Sequence, residues 1–202
     1  MDYWHSILTE KSWEILQKLR KEFSFILIGG WGVYLWARTH KSKDIDIIVD
    51  FDTLTALKEK YDIRKNDNLK KYEIKQDEID IDIYVPYYSK LAIPVEKIKA
   101  EKIEGFLVAK SEYLLILKQG AEMERKESER GEKDRIDIIS MLFNCKIDFK
   151  LYYSILKRHK IEHLLRRLIA LLKEFQDYNY LNITPRQLRI KKQKVMEELK
   201  HI

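Results

Sequence analysis

Apolar and polar residues recur along this chain with three different periods. In residues 5–21, HSILTEKSWEILQKLRK, apolar side chains fall at Ile7, Leu8, Trp13, Ile15, Leu16 and Leu19, the spacing of an amphipathic helix. Residues 23–28, FSFILI, form a short apolar run that predicts a buried strand, and GVYLWARTH predicts a second helix. Strict alternation appears in KDIDIIVD (43–50) and in EIDIDIYV (78–85), as expected for strands with one buried face. Residues 69–75 predict a further strand, joined to 78–85 by a tight turn at Gln76–Asp77. Residues 53–60 suit a short helix and 105–108 a short strand. From Ser111 the period is helical: a helix opening at a Ser cap, another over SERGEKDRIDIISMLF, one or two over 148–175, and a last one from Pro185. This order predicts an α/β (α+β) domain, a mixed sheet flanked by helices, followed by a helical C-terminal region. The expected division is residues 1–147 and residues 148–202.

Glycine placement sharpens the picture. The chain has six glycines, and three of them cluster in IGGWG at Gly29, Gly30 and Gly32. Glycine costs chain entropy on folding, so a cluster implies a sharp strand-to-helix turn or a group lying against the main chain. Charge adds a second asymmetry. The net charge is +6, yet residues 150–202 carry 13 Lys/Arg against 5 Asp/Glu. The basic excess therefore belongs to the C-terminal quarter, which suits either a polyanionic partner or solvated helix faces. No apolar run approaches the ~20 residues of a membrane span. The start lacks the basic-then-apolar order of a secretion signal, and a cytoplasmic protein is expected. The single cysteine, Cys145, forms no internal disulfide and is expected as a buried thiol at a helix end.

The acidic residues carry the candidate chemistry. Alternate residues of a strand share a face, so Asp44 and Asp46 point together, and so do Asp80 and Asp82, with isoleucines between them pointing into a core. Acids brought together from two strands repel one another unless a cation intervenes. Hard carboxylate oxygens suit Mg²⁺, which binds through one or two carboxylates plus substrate phosphates. Taken alone, Asp-x-Asp is as well explained by a solvated sheet face. A glycine turn opening a helix adds backbone amides for phosphate at Gly29 and Gly30, and Lys41, Ser42 and Lys43 precede the first acid pair. A Gly-x-Gly-x-x-Gly fingerprint and a Gly-x-x-x-x-Gly-Lys-Ser/Thr loop are both absent, which argues against dinucleotide enzymes and P-loop ATPases. His159 and His163, four apart, would share a helix face, but neither a HExxH motif nor a second cysteine accompanies them as zinc ligands. Trp31 is expected to pack on the sheet, with base stacking as the alternative, and Trp36 to lie in the core.

Together, Ile28-Gly29-Gly30, Asp44-Ile45-Asp46 and a later Asp between apolar residues (Asp80 or Asp82) resemble the DNA polymerase β-type nucleotidyltransferase superfamily. The second glycine stands where many members have Ser, and the thirteen residues between Gly30 and Asp44 are at the long end for the family. Downstream, KQGAEMERKESERGEKDRIDIISML is similar to the helical segment of small abortive-infection-type prokaryotic nucleotidyltransferases, with Lys133-Asp134-Arg135-Ile136-Asp137 preceded by Lys118 and Arg125. The match covers about residues 24–145. The resemblance implies two Mg²⁺ (or Mn²⁺) ions on Asp44, Asp46 and the third acid. It implies a nucleoside triphosphate such as ATP, touched by Lys118 or Lys133, and transfer of a nucleotidyl group to an acceptor hydroxyl. Arg125 and Asp137 are equally well explained as members of a helix-surface ion-pair network. Asp82 is preferred over Asp80 as third acid because IDIYVP runs straight on to Pro86. The acceptor could be RNA or tRNA, a protein or a small molecule, with the basic C-terminal helices favouring nucleic acid. A toxin–antitoxin component, with a partner protein, is one role such a site would serve. The alternative is an inactive nucleotide- or RNA-binding module of the same fold.

Overall fold

The computed structural model describes residues 2–202, with side chains from Ser6 onward. Three elements open the chain. Helix α1 (Asp2–Glu22) leads into β1 (Ile26–Leu27), and α2 (Gly29–Ala37) follows one residue later. Next come β2 (Ile45–Ile48), the helix α3 (Phe51–Lys60), and the strands β3 (Ile63–Asn66), β4 (Lys71–Gln76), β5 (Ile79–Tyr84), β6 (Ala100–Ile103) and β7 (Phe106–Ala109). Five helices then complete the chain: α4 (Ser111–Glu124), α5 (Glu129–Asn144), α6 (Phe149–His159), α7 (His163–Glu174) and α8 (Pro185–Leu199).

All seven strands form one mixed sheet in the order β3-β4-β5-β2-β1-β7-β6. Strand β2 pairs parallel with β5 and antiparallel with β1, and β1 pairs parallel with β7. The edge hairpins β3–β4 and β6–β7 are antiparallel, as is β4–β5. The alternation read from the sequence has a direct outcome. Ile45 and Ile47 of β2 and Ile79, Ile81 and Ile83 of β5 are almost wholly buried, while Asp46 and Asp82 take the opposite face.

The backbone divides into two compact units. One comprises residues 1–35 and 40–110, and the other comprises Trp36–Thr39 and Ser111–Ile202. Helices α4 and α5, placed by sequence with the first domain, thus belong to the second unit.

The first unit is built around Leu16 and Leu19 of α1, Leu27 of β1, the β2 and β5 isoleucines, Leu57 of α3 and Phe106 of β7. Trp31 is buried in it. Its ring lies 4.9 Å from that of Trp13, and its Nε1 donates to Ser12 Oγ at 2.9 Å. The indole is therefore committed to packing and offers no face to a base. Trp36 is half-buried rather than a full core residue.

In the second unit α4 packs on α5, α6 and α7, and α8 packs on α5 and α7. A buried polar chain links three of these helices: Tyr152 donates to Gln119 Oε1, and Gln119 Nε2 donates to the Leu164 carbonyl, each at 2.7 Å. Such groups are costly to bury unless paired, and here each finds its partner. Cys145 caps the C-terminus of α5, half-buried, and burial pushes its thiol up to about 12, away from the thiolate form.

His159 is the last residue of α6 and His163 the first of α7. The break at Lys160, which adopts a left-handed conformation, removes the shared helix face that their spacing suggests. Among the described residues, no helix is long and apolar enough to cross a membrane.

Candidate active site

The glycine cluster is explained by what lies against it. Gly29 is the first residue of α2 and has φ +62, in the left-handed region. A Cβ there would collide with the carboxylate of Asp46, and one on Gly30 would come within 2.6 Å of Ser42 Oγ. The Ile28 amide donates to the Asp46 carbonyl at 3.0 Å, which ties the glycine turn to β2. The first α-helical bond of α2 runs from Gly32 N to the Ile28 carbonyl. Asp46 therefore presents its charge at the start of α2, where the helix dipole favours an anion.

Asp82 sits directly beside Asp46. The two are paired in register across the parallel β2–β5 ladder, about 5 Å apart along the hydrogen-bonding direction. Burial first, then the Asp46 charge, push the Asp82 carboxyl up to about 6 against the pull of Lys71. Asp80, two residues earlier, is exposed and pairs in register with Lys75. The ladder thus separates two acids that alternation alone leaves equivalent. Asp44 lies on the bend just before β2, half-buried and one residue outside the strand.

Two residues not foreseen from sequence complete this face. Glu73 of β4 is paired with Asp82, so Asp46, Asp82 and Glu73 form a row across three adjacent strands. Lys71 reaches back to that row, with Nζ 2.6 Å from Asp82 Oδ2 and 3.1 Å from Glu73 Oε1. Burial opposes the Lys71 charge, but Asp82 and Glu73 outweigh it and raise the ammonium above its ordinary range. Burial likewise opposes the Glu73 charge, while Lys71 and Asn66 hold that carboxyl below its usual value. Lys71, Glu73 and Lys75 do alternate with Tyr72 and Ile74 in the sequence, so a charged face was legible there. That this face abuts Asp82 depends on strand order.

The acid pair suits a divalent cation in its chemistry: two neighbouring carboxylates, one of them pushed up first by burial and then by the charge of the other. Among the described residues, no three His, Cys, Asp or Glu side chains converge as a ready-made metal cage. Asp46 and Asp82 are accordingly the side chains that would hold such an ion, with Asp44 adjoining on the chain.

The other expected phosphate contacts lie apart from this row in character. Lys41 is exposed and Lys43 half-buried, whereas Ser42 is buried against Gly30 and acts in packing the turn.

In the second unit, Lys118 is buried, with Nζ 2.7 Å from Asp137 and 3.2 Å from Asp134. Arg125 Nε also reaches Asp134, at 2.6 Å. The motif Lys133-Asp134-Arg135-Ile136-Asp137 therefore contributes two acids to a buried ion network that holds Lys118, while Lys133 itself is exposed. A second such network joins Glu122, fully buried, to Arg135 and, through two hydrogen bonds, to Arg167.

No family model matches the chain, and no curated protein matches it in sequence. Several solved structures do resemble it. One described as "putative nucleotidyltransferase from H. pylori" is 18% identical, with 98% of this chain and 97% of that chain covered and a TM-score of 0.52. JHP933 from Helicobacter pylori is 18% identical over 98% of this chain and 94% of that chain, at a TM-score of 0.47. The Megavirus polyadenylate synthase is 19% identical, covering 71% of this chain and 32% of its own length, at a TM-score of 0.46. The first of these, matched along nearly the whole of both chains, shows the fold: an α/β nucleotidyltransferase fold.

Proposed function

We propose that the chain is a metal-dependent nucleotidyltransferase of the small prokaryotic, abortive-infection-like kind. It would move a nucleoside monophosphate from a nucleoside triphosphate to an acceptor hydroxyl. The observation that carries this reading is the in-register pairing of Asp46 with Asp82 beside the Gly29–Gly30 turn. The fold and the order of the sequence motifs support the same reading.

In this reading Asp46 and Asp82, with Asp44 beside them, hold Mg²⁺ or Mn²⁺. When bound, the ion polarises phosphate oxygens and neutralises the charge that builds on them. The amides at the start of α2 receive phosphate oxygens, with Lys41 and Lys43 on the segment leading to Asp44. Asp82, in register with Asp46, is placed to help bring the attacking hydroxyl to its nucleophilic form. Little covalent chemistry is asked of the protein, and most of the rate comes from positioning and charge. The basic C-terminal helices favour RNA or tRNA as acceptor, with a partner protein or a small molecule as the other outcomes.

The test incubates the protein with each α-labelled nucleoside triphosphate, Mg²⁺ or Mn²⁺, total RNA and cell extract. Label should enter one acceptor class with the native chain and not with Asp46→Asn. Equal labelling by Asp46→Asn refutes the site. No labelling from any triphosphate leaves a binding module of this fold.

A further inference from the structure

We propose that Lys71 is a tethered counter-ion of Asp82, which a divalent cation has to displace, so that metal and nucleotide binding are coupled through this one side chain. The inference rests on the metal-dependent reading above and adds a residue and a binding order to it.

Three carboxylates, Asp46, Asp82 and Glu73, stand side by side on β2, β5 and β4. A row of like charges on one sheet face is unfavourable unless a cation joins it. Lys71 supplies that cation from within the chain: its ammonium bridges Asp82 and Glu73 at 2.6 and 3.1 Å. The bridge is sheltered, with the Lys71 side chain 13% exposed, so solvent and salt screen it far less than a surface pair.

The oxygen that Lys71 engages, Asp82 Oδ2, belongs to one of the two carboxylates that would hold the metal. An ammonium and a divalent ion contending for the same carboxylate repel each other, so binding of one disfavours the other. Lysine is suited to such an exchange, because it is a point charge on a flexible stem rather than a rigid fork. Glu73 gives the displaced ammonium a partner on its own strand. A nucleoside triphosphate arriving with the metal brings the negative charge that offsets the surplus cation. Metal alone should therefore bind weakly and metal with nucleotide more strongly, by an amount that depends on Lys71.

The test measures Mn²⁺ binding to the full chain by electron paramagnetic resonance of the free ion, with and without a non-hydrolysable ATP analogue. The native chain should bind Mn²⁺ at least about tenfold more tightly when the analogue is present, within the usual range of coupling between two ligands. Lys71→Met should bind Mn²⁺ alone about tenfold more tightly than the native chain and lose most of the enhancement by nucleotide. Lys71→Arg, which keeps the charge, should retain the coupling. Lys71→Gln serves if the Met variant fails to fold. Equal Mn²⁺ affinity in the native chain and the neutral variants, or no nucleotide effect in the native chain, overturns the role of Lys71 while leaving the metal site standing. If the native and neutral-variant chains all fail to bind Mn²⁺ saturably, with or without nucleotide, the metal-dependent reading itself fails, and this inference with it.

Discussion

A Cβ on Gly30 would approach Ser42 Oγ to 2.6 Å, and Ser42 is itself 3% exposed. The glycine is thus set by a packing partner twelve residues away as well as by any need for an open turn. Gly30→Ala should cost about 1–3 kcal/mol as an overpacked contact. Adding Ser42→Gly should recover most of that loss, and a double-mutant cycle on thermal melting checks it. Asp82 yields a second expectation at this scale. Its folded carboxyl titrates at about 6 against an ordinary 3.8, so between those values the folded chain holds more proton than the unfolded one. Stability contributed by this group is therefore highest below pH 3.8 and falls as pH rises toward 6. Asp82→Asn should melt above the native chain at pH 8, by on the order of 2 kcal/mol, with the advantage vanishing near pH 4. Parallel melts in EDTA at the two pH values measure this.

Among the elements, the α4–α5 pair encloses a buried ion cluster. Lys118 is held by Asp134 and Asp137 in a buried cluster, with Arg125 on the outer side of Asp134. Removing the ammonium would leave two buried carboxylates short of a counter-charge, at a cost of about 3–5 kcal/mol. Lys118→Met should accordingly lower the denaturant midpoint strongly with an unchanged slope. A loss of nucleotide affinity at unchanged stability would instead return Lys118 to the phosphate role. The strands that escaped sequence reading have a shared cause. β3 (IRKN) and β6 (AEKI) are four-residue edge strands in which charged residues stand side by side. One neighbour is enough to hold such strands, so they need no alternation and leave none to read.

Over the whole molecule, the C-terminal charge excess is only partly available to a partner. Lys191 donates to the Phe143 carbonyl at 3.1 Å and Lys192 to the Lys173 carbonyl at 2.9 Å, near the C-terminal ends of α5 and α7, where cations are favoured. On α8, Leu188, Val195 and Leu199 are buried, whereas Arg186, Arg189 and Lys194 remain exposed. Reversing those three charges should weaken RNA binding and flatten its salt dependence without shifting the melting temperature. Unchanged RNA binding would remove this helix from the acceptor surface.

The chain's own pattern determined the strand–turn–helix at Ile28–Gly30, the alternating acids of β2 and β5, and the helical C-terminal region. Each of these depends on neighbours in sequence: a two-residue period, a helical period, and glycine where φ is positive. Only the tertiary structure decided that Asp82 rather than Asp80 stands against Asp46, that Glu73 and Lys71 join them, and that Lys118 is enclosed by acids. Those facts turn on strand order, ladder register and helix packing, which bring together residues far apart in the chain, and no local period encodes which distant side chain will arrive.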